Sequence, residues 1–452
     1  MLYIMRLKKL IILGGQKMKR LTVVTLIISI IMLLSLSACS TTTEAPVKNE
    51  ADQASTTPEQ TAEKENITLN IFQFKVEIAE DLEQLAKEYE KENPNVKVNV
   101  QTVGGGADYG AALKAQFASG NEPDIFNNGG FAEAQTWLNK LEDLSDQPWV
   151  SHVYPSAKVP MTIDGKIYGQ PLNLEGYGFI YNKDLFAKAG ITNLPKTLDE
   201  LEAATKQLND AGITPFSVGY GEWWVLGIHL LNIPFAQQPN PDEFIQGLNN
   251  GTVKIPGNEK FDQFMKLFDL TIKYGNKNPL TTDYNTQVTQ FANGQTAMMQ
   301  QGNWTTNMIL EISPNINMGF LPIPINNDAE AMDKLPVGVP NNWVVNKNSP
   351  NKEEAKKFLN WMVSSDVGKS YIVQKFKFIP AFDNIEATGL GALADDIIKY
   401  SNENKTLSWN WFKYPDGVIN EFGSIMQAYV GGQKNKEQFL NDLQTAWDNL
   451  KK

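Results

Sequence analysis

The sequence predicts a well-packed α/β protein with two or three folded units, and three observations support this prediction. Strand-like and helix-like segments alternate from Ile67 onwards, as they do in layered α/β proteins. The 452 residues are 42% hydrophobic and 10% aromatic, which is sufficient for a well-packed interior. Single cores rarely grow beyond about 250–300 residues, so we expect a chain of this length to form two or three folded units.

The first predicted elements alternate in type: a strand at 68–72, a helix from Ile78 that Asn93-Pro94 ends, a strand at 96–100, a helix at 109–119 and a strand at 123–126. This alternation predicts a largely parallel sheet. Ligands bind beyond the carboxyl ends of strands in open α/β sheets. Phe74, Asn127 and Asn128 follow two of these strands and are therefore candidate site residues.

Later segments continue the pattern: a strand at 178–182, a helix opened by Thr197 and Glu200, an amphipathic helix at 261–272 and a C-terminal helix with Trp447 on its apolar face. Trp137, Trp361 and Trp447 lie in such helical patterns, so we interpret them as packing residues. Six of the ten tryptophans instead lie in polar, non-periodic stretches: Trp223, Trp224, Trp304, Trp343, Trp409 and Trp411. A single tryptophan is more often a core residue, but six in loops favour aromatic platforms for a ligand.

The N-terminal segment predicts export and lipid anchoring. Lys19-Arg20 precede a short apolar run that ends in Leu36-Ser37-Ala38-Cys39, so residues 1–38 are typical of a signal peptide whose true start is Met18. The last four residues resemble the bacterial lipobox, which implies that Cys39 is diacylated. Residues 39–65 are rich in Thr, Ser, Glu and Gln, so they predict a flexible linker. The alternative, a membrane-spanning anchor, needs about 20 apolar residues.

Charge and composition exclude several classes of function. The net charge of −11 argues against nucleic acid as a partner. The single cysteine excludes an internal disulfide framework, and two distant histidines at 152 and 229 predict neither a metal site nor a Ser-His relay. No phosphate-binding loop is recognisable, so we expect no cofactor. No arginine follows Arg20, and a body without this anion clamp favours a neutral ligand.

Six segments in order resemble the extracellular solute-binding proteins of sugar ABC importers, the family that includes maltose-binding protein: 122–125, 165–171, 180–186, 291–298, 302–304 and 349–355. The resemblance covers Ile67 to the C-terminus. It implies a periplasmic-binding-protein type II fold, in which two discontinuous α/β lobes joined by a hinge close around a ligand. The implied lobes are 66–174 plus 342–384 and 175–341 plus 385–452.

The resemblance also implies a function and a site. The protein would bind a neutral mono- or oligosaccharide outside the membrane, as a monomer, and deliver it to membrane permease subunits. Trp304 matches the family's stacking tryptophan, and Glu175 matches a hydroxyl-binding glutamate, for which a hinge salt bridge is nearly as good an interpretation. The other residues placed at the site are Trp223, Trp224, Trp409, Trp411, Asp416, Asn342, Trp343 and Phe74. Asn127-Asn128 replace the aromatic-plus-acid pattern of the maltose relatives, which argues against maltose.

Two other functions remain open at this stage. A secreted glycoside hydrolase would also use aromatics and a carboxylate pair, for which Glu175, Glu222 and Asp416 are the candidates. A receptor for peptides or another solute is the third hypothesis.

Overall fold

A computed structural model describes residues 65–451 of the chain. The predicted signal peptide, Cys39 and nearly all of the predicted linker lie outside the described residues. Within 65–451, no helix has both the length and the apolar character needed to cross a bilayer.

The described residues contain strands that build two main sheets and one small hairpin. In chain order they are β1 (Ile67–Gln73), β2 (Val96–Thr102), β3 (Ile125–Asn128), β4 (Thr162–Ile163), β5 (Lys166–Ile167), β6 (Gln170–Pro171), β7 (Glu175–Asn182), β8 (Thr214–Ser217), β9 (Thr296–Gly302), β10 (Met318–Leu321), β11 (Leu335–Gly338), β12 (Asn342–Val345) and β13 (Thr406–Leu407).

Helices pack around these sheets. In chain order they are α1 (Ala79–Glu92), α2 (Tyr109–Ala118), α3 (Ala132–Trp137), α4 (Pro155–Lys158), α5 (Lys183–Lys188), α6 (Leu198–Asp210), α7 (Leu231–Ala236), α8 (Pro241–Asn250), α9 (Glu259–Lys273), α10 (Tyr284–Ala292), α11 (Thr306–Ile312), α12 (Ala329–Met332), α13 (Lys352–Ser364), α14 (Asp366–Ser370), α15 (Ala392–Asn402), α16 (Val418–Val430) and α17 (Lys436–Leu450).

The first sheet has the strand order β2-β1-β3-β12-β6. Its strands β1, β2 and β3 are parallel, and β12 runs antiparallel between β3 and β6. The second sheet has the order β13-β11-β7-β9-β8, with β10 also paired to β7. The expectation of a largely parallel sheet fails here, because β7 is antiparallel to β9, β10 and β11. Periodicity distinguishes strands from helices but carries no information about strand direction.

Several local predictions agree with the structure for identifiable physical reasons. Helix α6 begins with a capping box, in which the Thr197 side chain accepts from the Glu200 N–H and the Glu200 carboxylate accepts from the Thr197 N–H. Helix α1 ends at Glu92, directly before Asn93-Pro94. Trp447 is fully buried and stacks at 5.8 Å on Phe235.

The chain passes between the two sheets three times. Residues 172–174 connect β6 to β7, and residues 339–341 connect β11 to β12. The third passage lies before α15, which packs on β7, β10 and β11, whereas α13 packs on β12 of the first sheet. Leu174 and Ile379 form a bridge where two of these passages meet.

Candidate functional site

Four asparagines lie where the first sheet faces the second; we call them the amide cluster (Asn127, Asn128, Asn173 and Asn342). Asn128 ends β3, and Asn342 begins β12 directly opposite it in the ladder. All four are fully buried. The Asn127 and Asn128 Nδ2 atoms and the Asn173 and Asn342 Oδ1 atoms have no hydrogen-bond partner. A buried polar group without a partner destabilises a protein by about 1–3 kcal/mol, so these four atoms are candidates for hydrogen bonds with a polar ligand.

The other amide atoms of the cluster hold its geometry. The Asn342 Nδ2 donates to the Asn128 carbonyl at 3.0 Å, and the Asn127 Oδ1 accepts from the Phe74 N–H at 3.2 Å. Asn173 Nδ2 donates to Glu175 Oε1 at 3.1 Å. Each unpaired donor or acceptor therefore belongs to a side chain whose orientation is already fixed.

The chain makes a strained corner just after β3. Gly130 has φ of 84° and Phe131 has φ of 51°, a left-handed value that is rare for an aromatic residue. The Phe131 N–H donates to the Pro160 carbonyl at 2.7 Å, which holds the corner. Gly129 lies against the ring of Phe412, and a Cβ at residue 129 would overlap that ring. Backbone strain of this kind concentrates at functional sites.

Aromatic rings line the opposing side, near the second sheet; we call them the aromatic cage (Tyr177, Trp224, His229, Trp304, Trp409 and Trp411). Trp409 and Trp411 lie 4.6 Å apart between ring centroids. Trp304 lies 4.9 Å from His229, and Trp411 lies 5.7 Å from it. The rings of Trp224 and Trp304 are half-buried, so they retain faces that a ligand can contact.

Trp304 is held in place from two directions. It follows β9 in a short 3₁₀ turn, Asn303–Thr305, and its ring lies on Gly302, where any Cβ would overlap it. The indole Nε1 donates to Gln301 Oε1 at 3.1 Å. A pre-organised indole loses little conformational entropy on contact with a ligand.

Trp224 is oriented by a buried carboxylate. Its Nε1 donates to Glu222 Oε2 at 3.1 Å, and Glu222 Oε1 accepts from the Tyr284 N–H at 3.0 Å. The adjacent Trp223 reaches the first-sheet side, where its Nε1 donates to the Gly106 carbonyl at 3.3 Å.

A buried ion pair joins the two sides. The Lys75 Nζ lies 2.5 Å from Glu175 Oε1, and these side chains are only 4% and 3% exposed. Burial lowers the pKa of Lys75, but the Glu175 and Glu77 carboxylates outweigh it and hold this pKa above its ordinary value. The ammonium also lies 5.9 Å from the Trp304 ring centroid and 5.8 Å from that of Phe74. The charge at the centre of the site is therefore compensated.

Further contacts join the two sides at the edge of the site, which we call the rim. They join Tyr284 Oη to Glu77 Oε1 at 2.6 Å, Asn420 Nδ2 to Asp108 Oδ2 at 3.0 Å and Lys114 Nζ to Asp416 Oδ2 at 3.1 Å. Lys413 lies 5.3 Å above the ring of Phe131. The structure thus shows side chains from the two sides in contact across the rim.

Glu133 is a carboxyl group close to the contact between Lys114 and Asp416. Its Oε2 accepts from the Gly129 N–H at 2.8 Å. Burial raises the pKa of Glu133 to about 7, and Asp416 adds to this shift, while the Gly129 N–H and Lys114 oppose it.

The structure brings together most of the residues that the sequence places at the site. Phe74, Asn127, Asn128 and Asn342 lie on the first-sheet side, and Trp224, Trp304, Trp409 and Trp411 lie on the other, with Glu175 between them. Trp223 contacts the opposite rim rather than the cage. Glu175 pairs with Lys75, so the structure contains the salt bridge considered as the alternative interpretation of this residue.

Two predicted residues lie elsewhere. Trp343 is 5% exposed and packs in the core beside Phe376 and Phe378, since it points to the opposite face of β12 from Asn342. Asp416 has a side chain that is 63% exposed and pairs with Lys114 at the rim.

Sequence reasoning missed Lys75, Tyr177 and His229. Lys75 follows Phe74 at the end of β1, so the strand-end rule that selected Phe74 also covers it. Tyr177 lies in β7 and His229 in an apolar run, where neither has a sequence signal that distinguishes it from core. Among residues 65–451, no group of three or more His, Cys, Asp or Glu is arranged to hold a metal ion.

Comparison with known proteins identifies the family. Residues 75–369 match the family model described as bacterial extracellular solute-binding protein. The melibiose/raffinose/stachyose-binding protein MelE of Bacillus subtilis is 24% identical over 361 residues, which cover 76% of this chain and 80% of MelE. A maltooligosaccharide ABC transporter solute-binding lipoprotein of Streptococcus pneumoniae is 26% identical over 386 residues, which cover 80% of this chain and 84% of that protein.

The solved structure of the solute-binding protein RafE with raffinose is similar with a TM-score of 0.74 and 25% identity, over 85% of this chain and 100% of RafE. This similarity confirms the predicted periplasmic-binding-protein type II fold. The family match spans more than half of the sequence and includes strand ends from both sheets. The chain therefore belongs to the bacterial extracellular solute-binding proteins, the family that its sequence segments predict.

Proposed function

We propose that this protein captures a neutral sugar between its two sheets and delivers it to the membrane subunits of an ABC importer. The observation that carries this proposal is the opposition of the amide cluster and the aromatic cage. Unpaired amide donors and acceptors match sugar hydroxyls, and indole faces match the apolar faces of pyranose rings. Both are needed for a saccharide, and the site contains both.

The charges of the site favour an uncharged ligand. Lys75 and Glu175 neutralise each other at 2.5 Å, so an anionic ligand would bring an uncompensated charge into a buried region. Asn127 and Asn128, the last two residues of β3, take the place of the aromatic-plus-acid pattern that the resemblance to the maltose relatives implies, and both side chains are uncharged.

The relatives indicate which sugars to test first. MelE is named for melibiose, raffinose and stachyose, and RafE is solved with raffinose. We propose that oligosaccharides of this group are ligands of the present protein. Maltooligosaccharides are the second group, on the basis of the Streptococcus pneumoniae relative.

We further propose the cellular arrangement that the sequence predicts. Cys39 carries the lipid, residues 39–65 tether the folded part, and the protein works as a monomer on the extracytoplasmic face of the membrane. The two lobes, 66–174 plus 342–384 and 175–341 plus 385–452, separate when the ligand leaves. The relative that is described as a lipoprotein supports this arrangement.

Binding, without bond cleavage, is the proposed activity. The three carboxylates considered for hydrolysis each have another partner: Glu175 pairs with Lys75, Glu222 accepts from Trp224 and Tyr284, and Asp416 pairs with Lys114. A glycosidase needs two carboxyl groups about 5–10 Å apart and free to act on one bond.

Calorimetry on the purified protein tests the proposal. We expect binding of raffinose, stachyose or a maltooligosaccharide and none of a peptide panel, with no release of monosaccharide on prolonged incubation. Trp304→Ala should reduce the affinity at least about tenfold because it removes a ring face. Trp361→Ala is the matched control, since its Nε1 donates to Glu92 away from the site. Peptide binding, sugar turnover or an unchanged affinity of Trp304→Ala would each contradict the proposal.

A further inference from the structure

His229 has an unusual backbone setting for a residue within an apolar segment. It lies in a π-helical turn, Val225–Leu230, directly before α7. Such turns are rare and occur frequently at functional sites. The turn packs tightly on α16, where Gly227 leaves no room for a Cβ between it and the backbone of Ile419 and Gly423. The main chain that carries His229 is therefore fixed.

The imidazole lies at the centre of the aromatic cage. It stacks on Tyr177 with ring centroids 4.8 Å apart and planes 25° from parallel. Trp304 lies 4.9 Å away, and Trp224 meets the imidazole edge-on at 5.4 Å. The Tyr177 hydroxyl donates to the His229 carbonyl at 2.9 Å and so does not satisfy the ring. Packing alone sets the orientation of the imidazole.

One ring nitrogen is buried without a hydrogen-bond partner. His229 is 8% exposed, and its Nδ1 is fully buried and unpaired. Burial lowers the pKa of His229 to about 3, and the positive charge of Lys75 acts in the same direction. The ring is therefore neutral near pH 7, with one N–H and one lone pair. A hydroxyl can satisfy either form of Nδ1, because it both donates and accepts.

We propose that His229 is a specificity-determining residue of the sugar site, whose Nδ1 forms a hydrogen bond with one hydroxyl of the sugar ring that stacks on Trp304. This inference rests on the proposed function and adds a recognition contact from the second-sheet side. The amide cluster supplies the hydrogen bonds on the opposite side. The two sides of the site therefore contact different hydroxyls of the same ligand.

Three substitutions at this position separate the two ring nitrogens. Asparagine places an amide group near Nδ1, glutamine places one near Nε2, and phenylalanine keeps the flat ring without either nitrogen. In calorimetry with raffinose, or with whichever sugar the wild type binds best, we expect His229→Phe to weaken binding about tenfold. His229→Asn should stay within about threefold of the wild type, and His229→Gln should resemble His229→Phe.

Deoxy analogues of the same sugar identify the contact. The wild type should lose about tenfold in affinity for the one analogue that lacks the contacted hydroxyl, and His229→Phe should bind this analogue and the parent sugar equally. Melting temperatures of the unliganded variants are measured alongside. His229→Phe should melt at or above the wild-type temperature, because it removes an unpaired buried group.

The outcomes distinguish this inference from the proposed function. A folded wild type that binds no sugar contradicts the proposed function itself. A wild type that binds sugar with the same affinity as His229→Phe overturns the role of His229 alone, as does equal loss in all three variants with lowered melting temperatures. If His229→Phe fails to fold, the order of His229→Asn and His229→Gln decides.

Discussion

The two walls of the site are built from opposite kinds of side chain. The first-sheet wall presents the amide cluster, in which four buried side chains each keep one polar atom unpaired. The second-sheet wall presents the aromatic cage, in which rings contact rings at 4.6–6.3 Å and polar atoms are few. Amides recognise the direction of a hydroxyl, and rings recognise a flat apolar face. Under the proposed function, the two walls therefore make different kinds of contact with the sugar.

The strongest test of this division removes the ion pair between the walls. Lys75→Met leaves the buried Glu175 carboxylate without its cation, and we expect it to lower the free energy of unfolding by about 3–5 kcal/mol. The double variant Lys75→Met/Glu175→Gln should recover most of that loss, because no buried charge remains. Denaturant unfolding measures both.

Lys114→Met is the matched control for this substitution. Its pair with Asp416 is 55% and 63% exposed, so the expected loss is below about 1 kcal/mol. A loss in Lys75→Met no larger than in Lys114→Met would show that the central pair does not hold the walls together.

The aromatic wall can be disturbed without removing a ring. Gly302→Ala places a methyl group where the Trp304 indole lies, so the ring must move. We expect the sugar affinity to fall about tenfold, close to the effect of Trp304→Ala. Gly110→Ala is the control, because its nearest neighbour would be Asp108 Oδ1 at 3.5 Å. Calorimetry measures both, and an unaffected Gly302→Ala would argue that the position of Trp304 does not matter.

A substitution in the amide wall should lower the sugar affinity without lowering the stability of the fold. Asn128→Ala removes the unpaired Nδ2 and also the Oδ1 that accepts from the Gly130 N–H at 2.8 Å. We expect about a fivefold loss of sugar affinity with little change in the melting temperature, since a buried unpaired group is removed together with a bond. The exposed Asn121→Ala serves as the control. A large fall in the Asn128→Ala melting temperature would instead assign Asn128 to the core.

The smallest expected effect is a pH dependence of stability that Glu133 causes at the rim between the walls. Glu133 has a pKa of about 7 in the folded protein against 4.5 ordinarily, so the folded state binds more protons between these values. Its ionisation therefore reduces stability as the pH rises from about 4.5 to 7. We expect Glu133→Gln to melt about 2–4 °C above the wild type at pH 8, with the difference vanishing near pH 4.5. A constant difference across this range would mean that Glu133 titrates normally.

Local sequence patterns predicted the elements well, and in part the site. The capping box at Thr197 and the strand-end positions of Phe74 and Asn127 depend on neighbouring residues, so a pattern contains them. The direction of β7 depends on its partners β9, β10 and β11, which lie more than a hundred residues later. No local pattern contains that information.

The site residues likewise divide into those that a local pattern can predict and those that depend on partners distant in the sequence. Trp343 and Trp409 occupy similar polar stretches and both are buried, yet Trp343 packs beside Phe376 and Phe378 whereas Trp409 contacts Trp411. From the sequence alone, Lys75 resembles an ordinary surface lysine. The fold places it beside Glu175, which is a hundred residues away in the sequence. The proposed role of His229 depends on rings supplied by β7, by the turn after β9 and by the segment after β13.

The position of β12 has a consequence for biosynthesis. This strand lies between β3 and β6, so the first sheet remains divided until residue 345 has been synthesised. At about 5–20 residues per second, roughly 200 residues separate β3 from β12, which corresponds to about 10–40 s of translation. Throughout that interval the part of the chain already synthesised lacks the strand that completes the first sheet.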